Sequence, residues 1–264
     1  MSTIFITAYK DIGRRTWKSY QRSQEQYIDV FVKMALEISK NYTLIVYCSK
    51  EVENECMMML KTKYNMNEFS SNVIFVDIEQ VTTFYNKYID IERKIISSDE
   101  YKRCIPMDRK TNPEHVYAEY NLINHSKVNF VADAKKRYND YEYYVWVDFG
   151  LNDYPTKELN ISKICQKNKI VYGLNTLLYE GKIDARNMLA SHIIFFMGSE
   201  FVVHRGVVEL FEKVYEETLL ELYKENVSDD DQNVVLQIYY RNKDLFQPIY
   251  VGQWFSLFKK FLNK

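Results

Sequence analysis

Residues 143–150 read Tyr-Tyr-Val-Trp-Val-Asp-Phe-Gly, and no other stretch constrains the fold as much. Five consecutive β-branched or aromatic residues predict a strand buried on both faces, which belongs in the middle of an α/β sheet. Such a strand delivers Asp148 to its carboxyl end, where open sheets of this kind keep their ligands. Gly150 lets the chain turn sharply just beyond. Because Asp-x-Gly is also a common turn signal, two readings stand side by side: a ligand-holding carboxylate, or a plain strand exit.

Further β-type runs are expected at 3–8, 43–48, 72–78, 170–174 and 192–197, the last closed by Gly198-Ser199 as a turn. Helical segments are expected over 24–38, 52–64, 84–103, 114–138 (as one helix or two), 207–223 and 233–240. Strands alternating with helices at this spacing argue for βαβ units. The expectation is one α/β domain with a mixed, mostly parallel central sheet flanked by helices, and 264 residues suffice for its core.

Several function classes drop out. A formal net charge of -1 offers no general attraction to nucleic acid. With only seven glycines there is no GxxxxGK[ST] and no GxGxxG, which argues against phosphate-loop NTPases and standard dinucleotide-binding domains. Asp148-Phe149-Gly150 spells the kinase metal motif, but neither a glycine-rich loop nor HRDxxxxN precedes it. Cys48, Cys56, Cys104 and Cys165 lack metal-ligand spacing and fit a reducing compartment. No run reaches the length of a membrane span, so the expected location is cytoplasmic.

Some charged residues admit a functional reading beside a bland one. Arg14 and Arg15 follow the first strand and suit bidentate contacts to a pyrophosphate, or simply solvation. Lys127 lies beside Val128, Phe130 and Val131, where a lysine either snorkels to water or approaches a phosphate. Asp229, Asp230 and Asp231 open a helix; one or two acids serve as cap and dipole partner, and a third exceeds what a cap requires. Over 254–264 the aromatic and leucine positions fall on one helical face and the lysines on the other. That pattern predicts a C-terminal amphipathic helix beyond a 1–253 domain, lying on an anionic membrane surface or on its own domain.

Taken in order, the strand ending in Thr7-Ala8, Asp11-Ile12-Gly13-Arg14, Lys127, Trp146-Val147-Asp148-Phe149-Gly150, the run from His192 to Gly198, and Asp231-Gln232 resemble the bacterial HtrL/YibB-like family. That family is similar to nucleotide-sugar glycosyltransferases of the GT-A fold, a Rossmann-related class. The resemblance spans about Ile4 to Trp254.

It implies transfer of a sugar from a nucleotide-diphosphate donor, a UDP-hexose for preference, to a hydroxyl of a surface glycan such as capsule, lipooligosaccharide or O-antigen. The acceptor would be a glycan or lipid-linked glycan at the inner face of the cytoplasmic membrane. Thr7, Ala8 and Tyr9 would line the nucleoside, with Asp77 bonded to its base. Asp148 would hold donor or metal. In such folds an Asp-x-Asp binds Mn2+ or Mg2+; position 150 is glycine here, so either Asp153 supplies the second carboxylate or Arg14, Arg15 and Lys127 neutralise the phosphates without metal. Asp231 would face the acceptor as general base, with Gln232, His192 and Gly198 along the sugar wall and His204 a weaker candidate. The alternative is a non-catalytic nucleotide- or glycan-binding protein of the same fold.

Overall fold

The computed structural model describes residues 2–152, 154–178, 181, 183–191 and 193–262. Its strands are β1 (Thr3–Ala8), β2 (Thr43–Cys48), β3 (Val73–Asp77), β4 (Tyr143–Val147), β5 (Ile170–Leu174), β6 (Phe196–His204) and β7 (Ile249–Tyr250). They form one sheet in the order β3-β2-β1-β4-β6-β5-β7. β3, β2, β1 and β4 run parallel, β6 is antiparallel to both β4 and β5, and β7 is parallel to β5. The architecture is the expected α/β one with a mixed, mostly parallel sheet.

The helices are α1 (Gln24–Ile38), α2 (Lys50–Tyr64), α3 (Phe84–Ser97), α4 (Asp99–Cys104), α5 (Pro113–Val116), α6 (Ala118–His125), α7 (Lys127–Arg137), α8 (Ile161–Ile164), α9 (Ala185–Leu189), α10 (Val208–Lys224) and α11 (Asp231–Arg241). Local sequence sets several ends. Ser23 and Gln26 close α1 with a capping box. Ser49 caps α2, and Asn65 ends it in the left-handed region that asparagine tolerates.

Period-two alternation splits the core into two layers. From β4, Tyr144 and Trp146 face α7 and α10, while Tyr143, Val145 and Val147 face the layer beneath α1 and α2. All five are buried, which explains their unbroken apolar run. The chain runs outward from β1 through β2 to β3, then returns to β4 on the other side of β1. This reversal opens a crevice at the carboxyl ends of β1 and β4.

Three expectations are corrected. The strand expected at 192–197 is β6, which runs from Phe196 to His204 and carries Gly198 and Ser199 inside it rather than as a turn. The one or two helices expected over 114–138 are three, because the chain breaks at Tyr117 and at Ser126 to give α5, α6 and α7. The expected amphipathic helix at 254–264 is absent among the described residues; only a 3-10 turn, Phe258–Lys260, forms there. Leu257, Phe258 and Phe261 are buried against the α1 side of the sheet, Phe258 within 5.9 Å of the Phe5 ring. The Glu200 carboxylate accepts the Leu257 N–H at 2.5 Å and fixes the tail. Half of the apolar face proposed for a membrane, Leu257, Phe258 and Phe261, is thus part of the core, while Phe255 stays exposed.

Candidate functional site

Strand parity turns Trp146 and Asp148 to the same side of β4, toward the start of α7. There the Trp146 Nε1–H donates to Asp148 Oδ1 at 2.8 Å. The Lys127 ammonium sits 3.1 Å from the same Oδ1 and 3.0 Å from Oδ2 of Asp231, the first residue of α11. Its third partner is the Gly198 carbonyl at 2.9 Å. Gly198 stands inside β6 because a Cβ there would collide with the Asp231 carboxylate, so the glycine read as a turn signal marks a close approach. Burial works to lower the Lys127 pKa, but the charges of Asp148 and then Asp231 outweigh it and hold the ammonium above the ordinary lysine value.

Asp148 is 38% exposed and opens onto a cleft, whereas Lys127 and Asp231 lie behind it at 7% each. Residues of β1 and the following loop (Ala8, Tyr9, Arg14), of the α1 entry (Arg22, Tyr27), of α6 (Tyr120, Asn124) and of the β4 exit line this cleft. Four cations, Lys10, Arg14, Arg22 and Lys127, meet two carboxylates, Asp11 and Asp148, around it. Lys10 is paired with Glu79 at 2.6 Å and Lys127 is shared by Asp148 and Asp231, so Arg14 and Arg22 are the lining cations that can meet an anionic ligand. Phe149 anchors the floor by stacking on Phe31 at 4.1 Å. A second pocket shares Arg14 and Tyr120 with the first and is bounded by Asp229, Asp230, Gln232, Glu114, Tyr20 and Trp254 among others.

Residues 1–263 match a family described as a bacterial protein of unknown function, HtrL_YibB. The chain belongs to the HtrL_YibB family. Protein HtrL of Escherichia coli (strain K12) is 25% identical over 282 residues, covering 98% of this chain and 92% of its own. Among solved structures, a 4-diphosphocytidyl-2C-methyl-D-erythritol synthase from Anaerococcus prevotii DSM 20548 aligns with a TM-score of 0.47 at 10% identity, over 97% of this chain and 91% of that one. The galactosyltransferase LgtC, in complex with donor and acceptor sugar analogues, aligns at 0.45 and 11% identity, over 94% and 72%. At these values neither likeness carries an argument about chemistry.

Of the residues expected at the site of this HtrL_YibB chain, Ala8, Tyr9, Arg14, Lys127, Asp148 and Gly150 line the main cleft. Asp231 does not: it is buried behind Lys127 and Gly198. Gln232 borders the second pocket, its amide on Asp230 Oδ2 at 2.9 Å. Thr7 is fully buried inside the sheet and cannot touch a nucleoside. Asp77 is exposed and caps the turn after β3 by accepting the Glu79 N–H at 3.1 Å; it does not line the cleft. Arg15 faces a neighbouring groove beside the start of α2. His204 lies at the far end of β6, accepting the Gly206 N–H at 3.0 Å. Asp153 and His192 lie outside the described residues.

Sequence reasoning missed Arg22 and the role of Tyr27, which looked like one more apolar position of α1. One signal was available. Arg22 directly precedes the α1 capping box, where the helix dipole disfavours a cation, and an unfavourable placement of this kind asks for an anion nearby.

The ion that the resemblance implies is Mg2+ or Mn2+. One or two carboxylates plus substrate phosphates suffice for such ions, so a lack of ligand clusters among the described residues does not decide the matter. Lys127 does. Its ammonium and the Trp146 indole already engage Asp148 Oδ1, and a divalent cation on that carboxylate would stand against a like charge. Among the described residues the site does not fit the ion.

Proposed function

We propose that this chain is a glycosyltransferase that moves a sugar from a nucleoside-diphosphate donor to a hydroxyl of a glycan. One observation carries the reading: at the strand-order reversal, a clamped and partly exposed carboxylate, Asp148, opens onto a cleft also lined by the guanidiniums of Arg14 and Arg22, and a second pocket joins it. Glycosyl transfer needs that juxtaposition, since the diphosphate leaves from one side and the acceptor arrives from another.

In the transfer, the bond from the anomeric carbon to the diphosphate oxygen breaks, and its electron pair leaves with the diphosphate, which the cleft cations neutralise. A bond forms from the acceptor oxygen to that carbon. Asp148 orients the donor sugar. Asp230, half-buried in the second pocket, takes the acceptor proton; burial, then the charges of Asp229 and Asp231, raise its pKa and favour proton uptake. UDP-hexose as donor, and a surface or lipid-linked glycan as acceptor, belong to this proposal as its finer form. The competing reading, a non-catalytic binding protein, is favoured by the glycine at position 150.

The test is a panel of nucleotide sugars with glycan acceptors, read as nucleoside diphosphate release. Asp148→Asn is expected to lower turnover by about a hundredfold or more while retaining nucleotide binding, and Met58→Ser, on the exposed face of α2, is expected to leave turnover unchanged. Nucleotide binding without release under any acceptor condition would establish the binding protein instead.

A further inference from the structure

In this chain the place of the second carboxylate of an Asp-x-Asp is filled. A Cβ at position 150 would stand 2.8 and 2.9 Å from the Tyr27 ring carbons and 3.7 Å from the Arg22 guanidinium. An aspartate there therefore has no room, and what occupies its direction is an aromatic ring with a cation beside it. Arg22 lies 5.4 Å and Arg14 5.9 Å from the centre of that same ring, so both guanidiniums are carried on Tyr27. Arg14 is held further by donating to the Tyr20 carbonyl at 2.9 Å and to the Tyr27 hydroxyl. Among the described residues neither arginine has a carboxylate within ion-pair distance, although 36 acidic residues are present in the chain. Arg14, held in place with N–H groups to spare, and the exposed Arg22 beside it suit the paired oxygens of a diphosphate next to Asp148.

Resting on the nucleoside-diphosphate reading, we infer that Arg14 and Arg22 hold the diphosphate in place of a divalent cation, while Lys127 occupies the inner position between the carboxylates and fixes Asp148. Charge is then divided by position. The guanidiniums meet the departing diphosphate. The Asp148–Lys127–Asp231 group, one negative charge in sum, faces the sugar, where positive character develops as the anomeric bond breaks. Tyr27 links the two parts, and Gly150 is the residue that lets it approach.

The experiment measures UDP binding to the full chain by calorimetry, once with EDTA and once with Mn2+, with inorganic pyrophosphate as a second probe. UDP affinity is expected to agree within about twofold between the two conditions, and Arg22→Met and Arg14→Met are each expected to weaken it by about tenfold or more. Arg22→Lys keeps the charge but loses the fork and is expected to fall between wild type and Arg22→Met. Thermal unfolding of each variant confirms that it folds. UDP binding that requires Mn2+, or that Arg22→Met leaves intact, overturns the inference and leaves the glycosyltransferase reading standing. If neither UDP nor any other nucleoside diphosphate binds in either condition, both fall together.

Discussion

Lys127 occupies a position that only two carboxylates make tolerable. A buried ammonium is costly unless it is paired and hydrogen-bonded, and here three acceptors, Asp148, Asp231 and the Gly198 carbonyl, saturate its three N–H groups. Lys127→Met leaves the two acids without their shared counter-charge, and we expect a loss of about 3 kcal/mol in urea unfolding, toward the low end for a broken buried pair because Asp148 is partly in water. Adding Asp231→Asn to that variant should restore part of the loss by removing one of the like charges. A Lys127→Met protein as stable as wild type would show that the group contributes nothing. Gly198→Ala tests the same region from the strand: the new methyl has to displace Asp231, at about 1–3 kcal/mol, whereas alanine inside a strand is otherwise tolerated.

At the scale of elements, the loop that leads into α11 is held from below by a buried carboxylate. Glu92 of α3 accepts from Asn121 of α6 at 3.0 Å and from the Ser228 hydroxyl, one residue before Asp229. The Tyr101 hydroxyl of α4 donates to the Ser228 carbonyl at 2.9 Å. These bonds set where Asp230 and Asp231 start their helix. Burial, opposed by the bonds from Ser228 and Asn121, raises the Glu92 pKa from 4.5 to about 6. The folded state then keeps a proton that the unfolded chain has released, so stability falls as pH rises from about 4.5 through about 6. The size is about 2 kcal/mol. Glu92→Gln removes this titration, and the stability of wild type relative to the variant should decline by that amount across the window when urea midpoints are compared. Parallel curves for the two proteins would contradict it.

For the whole molecule, the tail decides what kind of surface the protein presents. Leu257, Phe258 and Phe261 close the layer under β1, while Lys259 and Lys260 point outward. Phe258→Ala should cost about 3–5 kcal/mol, and Lys260→Glu should stay within about 0.5 kcal/mol. Weakened binding to anionic vesicles with unchanged stability in Phe258→Ala would return the tail to a membrane role. No helix among the described residues is long and apolar enough to cross a membrane.

What the sequence determined by itself was whatever local pattern encodes: β1, α1, β2 and β5 at their observed bounds, the buried β4 with Asp148 at its exit, and the alternation that makes a mostly parallel sheet. These follow from period and propensity, which act within a few residues. Only the tertiary structure decided that Lys127 reaches Asp231 across 104 positions of chain and ties it to Asp148, that Gly198 lies inside a strand, that Tyr27 fills the space beside Gly150, and that the tail turns inward. Each depends on which residues meet after the sheet has assembled its crossed-over order. A helical wheel drawn on 254–264 finds an apolar face but cannot tell a membrane from the underside of the chain's own sheet, because both remove the same side chains from water.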